Sequence, residues 1–246
     1  RYDPPSPTRK PMKDLSRDWE AFKAMQTEPI GLDEPRIAEM KQACDEREQA
    51  FGLTVGYPGF HMWETLVQGG VEQLSYAMMD CPELLDEWFE LDLDRGTKIL
   101  QFLLDAEPDY ILFGGSGTIT MASPQLAEQY AIPALKKWSK MAKDAGVPTH
   151  LHSCGKSRVL VDMLCDETDI GSINPLEHPP MGDVDLAEVK RARGDQIGLM
   201  GNLHTTEVML RGTPETVRRR SIEAMAAAGP GGVFILSTGD QCGRDT

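Results

Sequence analysis

The feature that most constrains this chain is the repeated alternation of short apolar runs with helix-patterned stretches. Six runs rich in aliphatic and β-favouring residues fall at 53–57, 110–115, 148–153, 170–175, 197–202 and 233–238, each with the length of a buried strand. Between them lie clear helix starts. Ser123-Pro124 and Thr213-Pro214 each set a hydroxyl at a capping position and a proline at the first helical position, where its missing N–H has no partner to lose. From Ser123 onward, Leu126, Tyr130, Pro133, Ala134, Trp138 and Met141 recur at three- and four-residue steps until Gly146, predicting one continuous amphipathic helix. A longer helix is predicted through Leu84, Leu85, Trp88, Phe89, Leu91, Ile99, Phe102 and Leu103. A shorter one follows Asp185, acidic at its start and basic at its end, as the helix dipole prefers. Strands separated by helices of this length need crossovers, and crossovers predict a parallel α/β sheet.

Two architectures meet that description: an open doubly wound sheet and a (β/α)8 TIM barrel. No Gly-x-Gly-x-x-Gly turn follows the first strand, which removes the main sign of the doubly wound dinucleotide fold and favours the barrel. Six strands are visible where a barrel has eight. At roughly 30 residues per strand–helix unit, the chain reads as a fragment of a longer protein, with about six of eight units and the two front units missing. Residues 1–32, rich in proline and charge, read as an N-terminal connector, and 33–246 as a single barrel portion whose first helix falls within 35–52. Unpaired edge strands and an uncovered apolar interior make such a portion prone to aggregate.

Composition narrows the partners. Lys and Arg number 25 against 39 Asp and Glu, and 25 − 39 = −14, a surplus that repels phosphate backbones and anionic lipid. Neither nucleic acid nor a membrane is therefore an expected partner. No run approaches the roughly 18–20 apolar residues of a bilayer span. Five unpatterned cysteines make no disulfide framework, and residues 1–5 carry no apolar signal core, so the expected compartment is the cytoplasm. Cys44 and Cys165 fall in helical stretches and Cys81 before a helix-start proline, the places of small buried or capping residues.

In a parallel barrel the carboxyl ends of the strands converge on one mouth, so the residues just after each strand are where chemistry belongs. Here they are polar and glycine-rich, and they hold all five histidines apart from His150, which lies one pleat deeper. Period-2 alternation puts His150, His152 and Cys154 on one face of the third strand. His-x-Cys alone is a weak signal. Cys242, in the loop after the last strand, adds a second sulfur at the same mouth. One imidazole and two thiolates, His152, Cys154 and Cys242, form a three-ligand zinc site with one position open, the pattern of catalytic zinc. Around it, Asn202 and His204 are placed to hydrogen-bond substrate or orient a ligand, with backbone satisfaction of His204 as the bland alternative. His61 and Trp63 either line a wall for a flat ligand or pack beneath a loop. Gly114 to Gly117 is no phosphate loop, since no Lys-Ser/Thr follows. Gly115 and its neighbours are expected instead to keep the mouth open for a bulky substrate. Asp240 orients a ligand or caps its turn, and His150 is a core or supporting residue.

His152-Ser153-Cys154-Gly155, followed by Gly201-Asn202 and then by the stretch from Gly232 to Gly239, resembles the uroporphyrinogen decarboxylase superfamily over residues 53–245. The late cysteine makes it most similar to the zinc-dependent corrinoid methyltransferase branch, the methylcobamide:coenzyme M methyltransferase-like enzymes. These move a methyl group between a corrinoid protein and a thiol or related acceptor. The resemblance implies Zn2+ on His152, Cys154 and Cys242, with Glu177 as the carboxylate that takes the fourth position when substrate is absent. It also implies a methyl-corrinoid supplied by a corrinoid-binding partner protein, and a small-molecule methyl donor or acceptor. Two departures stand out: the family's first two strands and its carboxyl-terminal helix have no counterpart in this chain. Two other readings are carried: metal-free decarboxylation of a tetrapyrrole, which has no use for a His-Cys-Cys set, and a non-catalytic ligand-binding barrel. A homo-oligomer is compatible with all three.

Overall fold

The computed structural model describes residues 9–239 and Cys242. In chain order it contains α1 (Leu15–Gln26), α2 (Glu34–Asp45), β1 (Gly52–Gly56), α3 (Phe60–Trp63), α4 (Val71–Asp80) and α5 (Pro82–Asp105). There follow β2 (Tyr110–Gly114), α6 (Pro124–Tyr130), α7 (Ile132–Asp144), β3 (Thr149–His152), α8 (Arg158–Glu167) and β4 (Ser172–Asn174). The chain continues through α9 (Leu186–Arg193), β5 (Gly198–Leu203), a π-helical turn (Thr205–Leu210), α10 (Pro214–Ala228) and β6 (Phe234–Thr238). All six predicted strands are present. Ser123, Asp185 and Thr213 cap α6, α9 and α10 by accepting the N–H of Leu126, Glu188 and Thr216.

The strands are parallel and lie in the order β1-β2-β3-β4-β5-β6, so spatial order equals chain order. A doubly wound sheet reverses direction once. Here each crossover instead steps to the next neighbour, the winding of a (β/α) barrel. Among the described residues β1 and β6 are the two edges.

Alternation along the strands divides the side chains between two faces. Ile111, Phe113, Leu151, Ile173 and Leu199 are buried beneath the helices. Their neighbours, including Leu112, His150, His152, Ser172, Asn174 and Met200, line a cavity of about 460 Å³ on the other face. Register across β1 to β4 sets Gly56, Gly114, His152 and Asn174 side by side in one row. The row one pleat deeper is Thr54, Leu112, His150 and Ser172.

The helix layer departs from the expectations in two places. The stretch after Ser123 is two helices, because Pro133 has no N–H for the carbonyl four residues back and its ring crowds that carbonyl. Ala131 turns the chain between α6 and α7. The segment read as a connector also contributes to the core: Met12 bridges to Val67, and α1 buries Leu15, Trp19 and Phe22. Trp19 and Phe22 pack on Trp88 of α5, with ring centroids 5.8 and 5.1 Å away. Their i, i+4, i+7 spacing is that of an apolar helix stripe amid proline and charge. No helix among the described residues is long and apolar enough to cross a membrane.

Candidate functional site at the carboxyl end of the sheet

The site is built on the short strand β3. His150 and His152 are half-buried on its cavity face, and the parallel register puts Ser172 and Asn174 of β4 beside them. Four contacts then form one chain. Ser172 Oγ lies 2.7 Å from His150 Nδ1, and His150 Nε2 lies 2.9 Å from Asn174 Oδ1. The same Oδ1 is 3.0 Å from His152 Nδ1, and His152 Nε2 is 3.2 Å from Cys154 Sγ. An amide oxygen only accepts, so both ring nitrogens that face it carry hydrogen. His152 thereby carries hydrogen on Nδ1 and sets its Nε2 against the sulfur.

After β3 the chain turns at Gly155, whose φ of +83° favours glycine. A Cβ there would also lie 2.2 Å from Thr120 Oγ1. The turn aims the Gly155 N–H at Glu177 Oε2, 2.6 Å away. The other carboxylate oxygen faces the end of β6, 3.2 Å from where a Cβ on Gly239 would stand. Glu177 therefore sits between Gly155, just after β3, and Gly239, just after β6. Its loop is tied down by Asn202, which donates from Nδ2 to the Leu176 carbonyl at 3.0 Å. Gly201 permits that approach, since a Cβ on it would stand 2.1 Å from the Pro175 carbonyl oxygen.

Beneath Cys154 lies a buried hydroxyl cluster. Tyr57 and Thr118 share a hydrogen bond of 2.6 Å, Thr118 and Ser153 one of 2.8 Å. Burial pushes the Tyr57 phenol up to about 12, so it stays protonated. The cluster braces the chain on both sides of the site, and no local pattern in the sequence signals it.

The expected site residues fall into three groups. His152 and Cys154 come together, and Glu177 meets the backbone of Gly155, the next residue along. Cys242 is exposed, and among the described residues no three His, Cys, Asp or Glu side chains are grouped closely enough to hold a metal ion. Asp240 lies outside the described residues. Asn202 and His204 line a separate cleft of about 490 Å³ that also contains His178. His204 Nδ1 accepts the N–H groups of Thr206 and Glu207 and so caps the π-helical turn, the backbone role weighed against substrate binding. Its ring lies 5.6 Å from that of His178.

His61, Trp63 and Gly115 form the third group, and all are accounted for by packing. Trp63 is fully buried, stacks on Trp88 at 4.8 Å and donates to Asp92 at 2.7 Å, so it offers no exposed wall. His61 is buried with its ring 4.5 Å from that of Tyr57. Burial lowers its pKa to about 4, against a weaker opposing backbone hydrogen bond with Tyr57, and its Nε2 has no partner. Gly115 packs directly on both rings: a Cβ would stand 2.6 Å from His61 Nε2 and 2.7 Å from the Tyr57 ring. Glycine is required there by close packing and opens no space.

Sequential parallel winding, with an imidazole–thiol pair where the strands end, defines a (β/α)-barrel protein of the kind that carries its site at the strand carboxyl ends. Residues 58–245 match the family model described as Uroporphyrinogen decarboxylase (URO-D), and the chain belongs to this family. It is 29% identical over 176 residues to methylcobamide:CoM methyltransferase MtbA of Methanosarcina mazei, covering 64% of this chain and 47% of that protein. The Methanosarcina acetivorans protein of the same name is 28% identical over 174 residues, with the same coverage. The chain thus spans just under half the length of the curated relatives it matches. A solved structure, "methyltransferase from Methanosarcina mazei", superposes with a TM-score of 0.67 at 18% identity, covering 95% of this chain and 65% of that one, and shows the shared fold.

Proposed function

We propose that this chain is the site-bearing part of a zinc-dependent methyltransferase that moves a methyl group between a corrinoid protein and a thiol or related acceptor. The observation that carries the reading is the His152–Cys154 pair: an imidazole whose Nε2 lies 3.2 Å from a sulfur. Imidazole nitrogen and cysteine sulfur are the donors zinc prefers, and a metal-bound histidine characteristically gives its other N–H to an oxygen acceptor, as His152 does to Asn174. His152 and Cys154 would hold the metal with Cys242 as third ligand. Bound there, zinc would supply the acidity that makes a thiol available as thiolate near neutral pH.

The chain's own residues do the rest. Gly155 N–H holds one oxygen of Glu177 and fixes the carboxylate beside Cys154. From there Glu177 accepts the proton an incoming thiol gives up. Asn202 anchors the loop that carries Glu177, so its contribution is to orientation. The similarity to methylcobamide:CoM methyltransferases supports the corrinoid partner and the thiol acceptor.

Metal analysis tests the reading. Protein purified from zinc-replete medium is expected to hold stoichiometric zinc, and Cys154→Ser and Cys242→Ser each to lose it while keeping their far-ultraviolet circular dichroism. Wild-type protein without zinc, or equal retention in both variants, refutes it.

A further inference from the structure

We infer that Asn174 is a positioning residue that sets the tautomer and ring orientation of His152, and that His150 and Ser172 hold Asn174 in place. The inference rests on the reading above for its purpose, which is to present His152 Nε2 as a ligand. Its physical basis is independent of any metal.

A free neutral imidazole exchanges its proton between Nδ1 and Nε2. His152 does not have that freedom, because Asn174 Oδ1 accepts at 3.0 Å and stabilises hydrogen on Nδ1 alone. The amide itself is a rotor whose nitrogen and oxygen could trade places. Turning the amide nitrogen toward both rings would set its hydrogens against His150 Nε2–H, which donates at 2.9 Å. His150 Nδ1 in turn lies 2.7 Å from Ser172 Oγ, a hydroxyl that reaches either that nitrogen or the Thr149 carbonyl at 3.4 Å. With Ser172 donating to His150, the order of donors runs from Ser172 through His150 to Asn174 and ends with Nδ1–H on His152. The Asn174 backbone fixes the same geometry, since its carbonyl accepts the Ser153 N–H at 2.9 Å. All four polar side chains come from two adjacent strands in two adjacent rows. Rigid strands hold such a constellation more tightly than loops.

The test compares wild type with Asn174→Leu, Asn174→Asp and His150→Phe. Two-bond proton–nitrogen correlation spectra of metal-free protein near pH 8.5 report the tautomer of each histidine, with His152 assigned by its loss in His152→Gln. Wild type and Asn174→Asp, which keeps an acceptor oxygen, are expected to show Nδ1–H on His152. Asn174→Leu is expected to shift it toward Nε2–H. Should Asn174→Leu fail to fold, His150→Phe keeps an aromatic ring in the row, frees the amide to rotate and gives a smaller shift in the same direction. Competition with a chromophoric chelator is expected to show zinc binding weakened on the order of 10- to 100-fold in Asn174→Leu, with most of it recovered in Asn174→Asp. An unchanged His152 tautomer in both Asn174→Leu and His150→Phe overturns the inference, whatever the metal does. Wild type that binds no zinc overturns the proposed function, while the spectra still decide the role of Asn174.

Discussion

His61 gives the structure a measurable acid sensitivity. Its ring is buried against Tyr57 and Gly115, and its charged form is disfavoured down to about pH 4, against 6.5 for an exposed imidazole. Between those values the unfolded chain binds a proton that the folded chain does not, so stability falls as pH falls through the window. Each pH unit is worth about 1.4 kcal/mol, so lowering the pH from 6.5 to about 5 removes ~2 kcal/mol, and completing the window removes ~3 kcal/mol. Asp92 acts in the opposite sense. Burial raises its carboxyl to about 6, against the pull of its hydrogen bond from Trp63. The folded state therefore binds the extra proton between about 6 and 3.8, and stability rises as pH falls there. The two effects offset one another below pH 6, and the wild-type curve alone does not reveal either. The diagnostic is the pH dependence of the difference from His61→Phe, which keeps an aromatic ring against Tyr57 but has nothing to protonate. Urea unfolding near pH 7.5 and pH 5 should show the variant gaining ~2 kcal/mol on wild type across that interval. A difference that is the same at both pH values refutes the burial argument.

Two further outcomes concern packing. Gly155→Ala puts a Cβ 2.2 Å from Thr120 Oγ1 at a φ of +83°. The backbone conformation costs about 1–2 kcal/mol and the overlap about 1–3 more, so a lowered urea midpoint is expected, and an unchanged one contradicts the packing described. Gly96→Ala drives a Cβ to 2.4 Å from the Trp138 ring where α5 crosses α7. Trp138 is also held by its hydrogen bond to Thr97 and cannot yield freely. A loss of about 1–3 kcal/mol is expected, read as a fall in thermal midpoint, and a neutral substitution shows that the helices are not in contact there.

The strands were legible because a parallel strand buried on one face and crossed by helices must be apolar over a short run. The caps at Ser123, Asp185 and Thr213 were legible because capping is local chemistry. The His152–Cys154 pair followed from alternation within one strand. What local pattern does not carry is register between strands, and the rest of the site depends on it. Asn174 is one of many loop-flanking polar residues until β4 is set beside β3, and Glu177 meets Gly155 only across 22 residues. Trp63 shows the converse: an aromatic residue near the mouth reads equally as a wall or as packing until Asp92 and Trp88 are found against it. Pro133 breaks the helix although the apolar spacing runs through it without interruption, since spacing reports burial and not backbone hydrogen bonding.

The row formed by Gly56, Gly114, His152 and Asn174 explains how one short strand can present a reactive pair without closing it in. On the β4 side of His152 the neighbour is polar and hydrogen-bonded, which fixes the ring. On the β2 side the neighbour is Gly114, and a Cβ there would meet only Thr54 Cγ2 within 4 Å. One flank therefore supplies a hydrogen bond and the other only backbone. A side chain of ordinary size at position 114 would stand beside the imidazole and press on Thr54. The glycines thus divide by crowding: Gly115 and Gly155 are demanded by atoms pressed against them, whereas Gly114, in the row that holds the site, meets a single methyl group at 3.1 Å. That asymmetry lets the fold orient His152 from the β4 side while the β2 side sets no side chain against it.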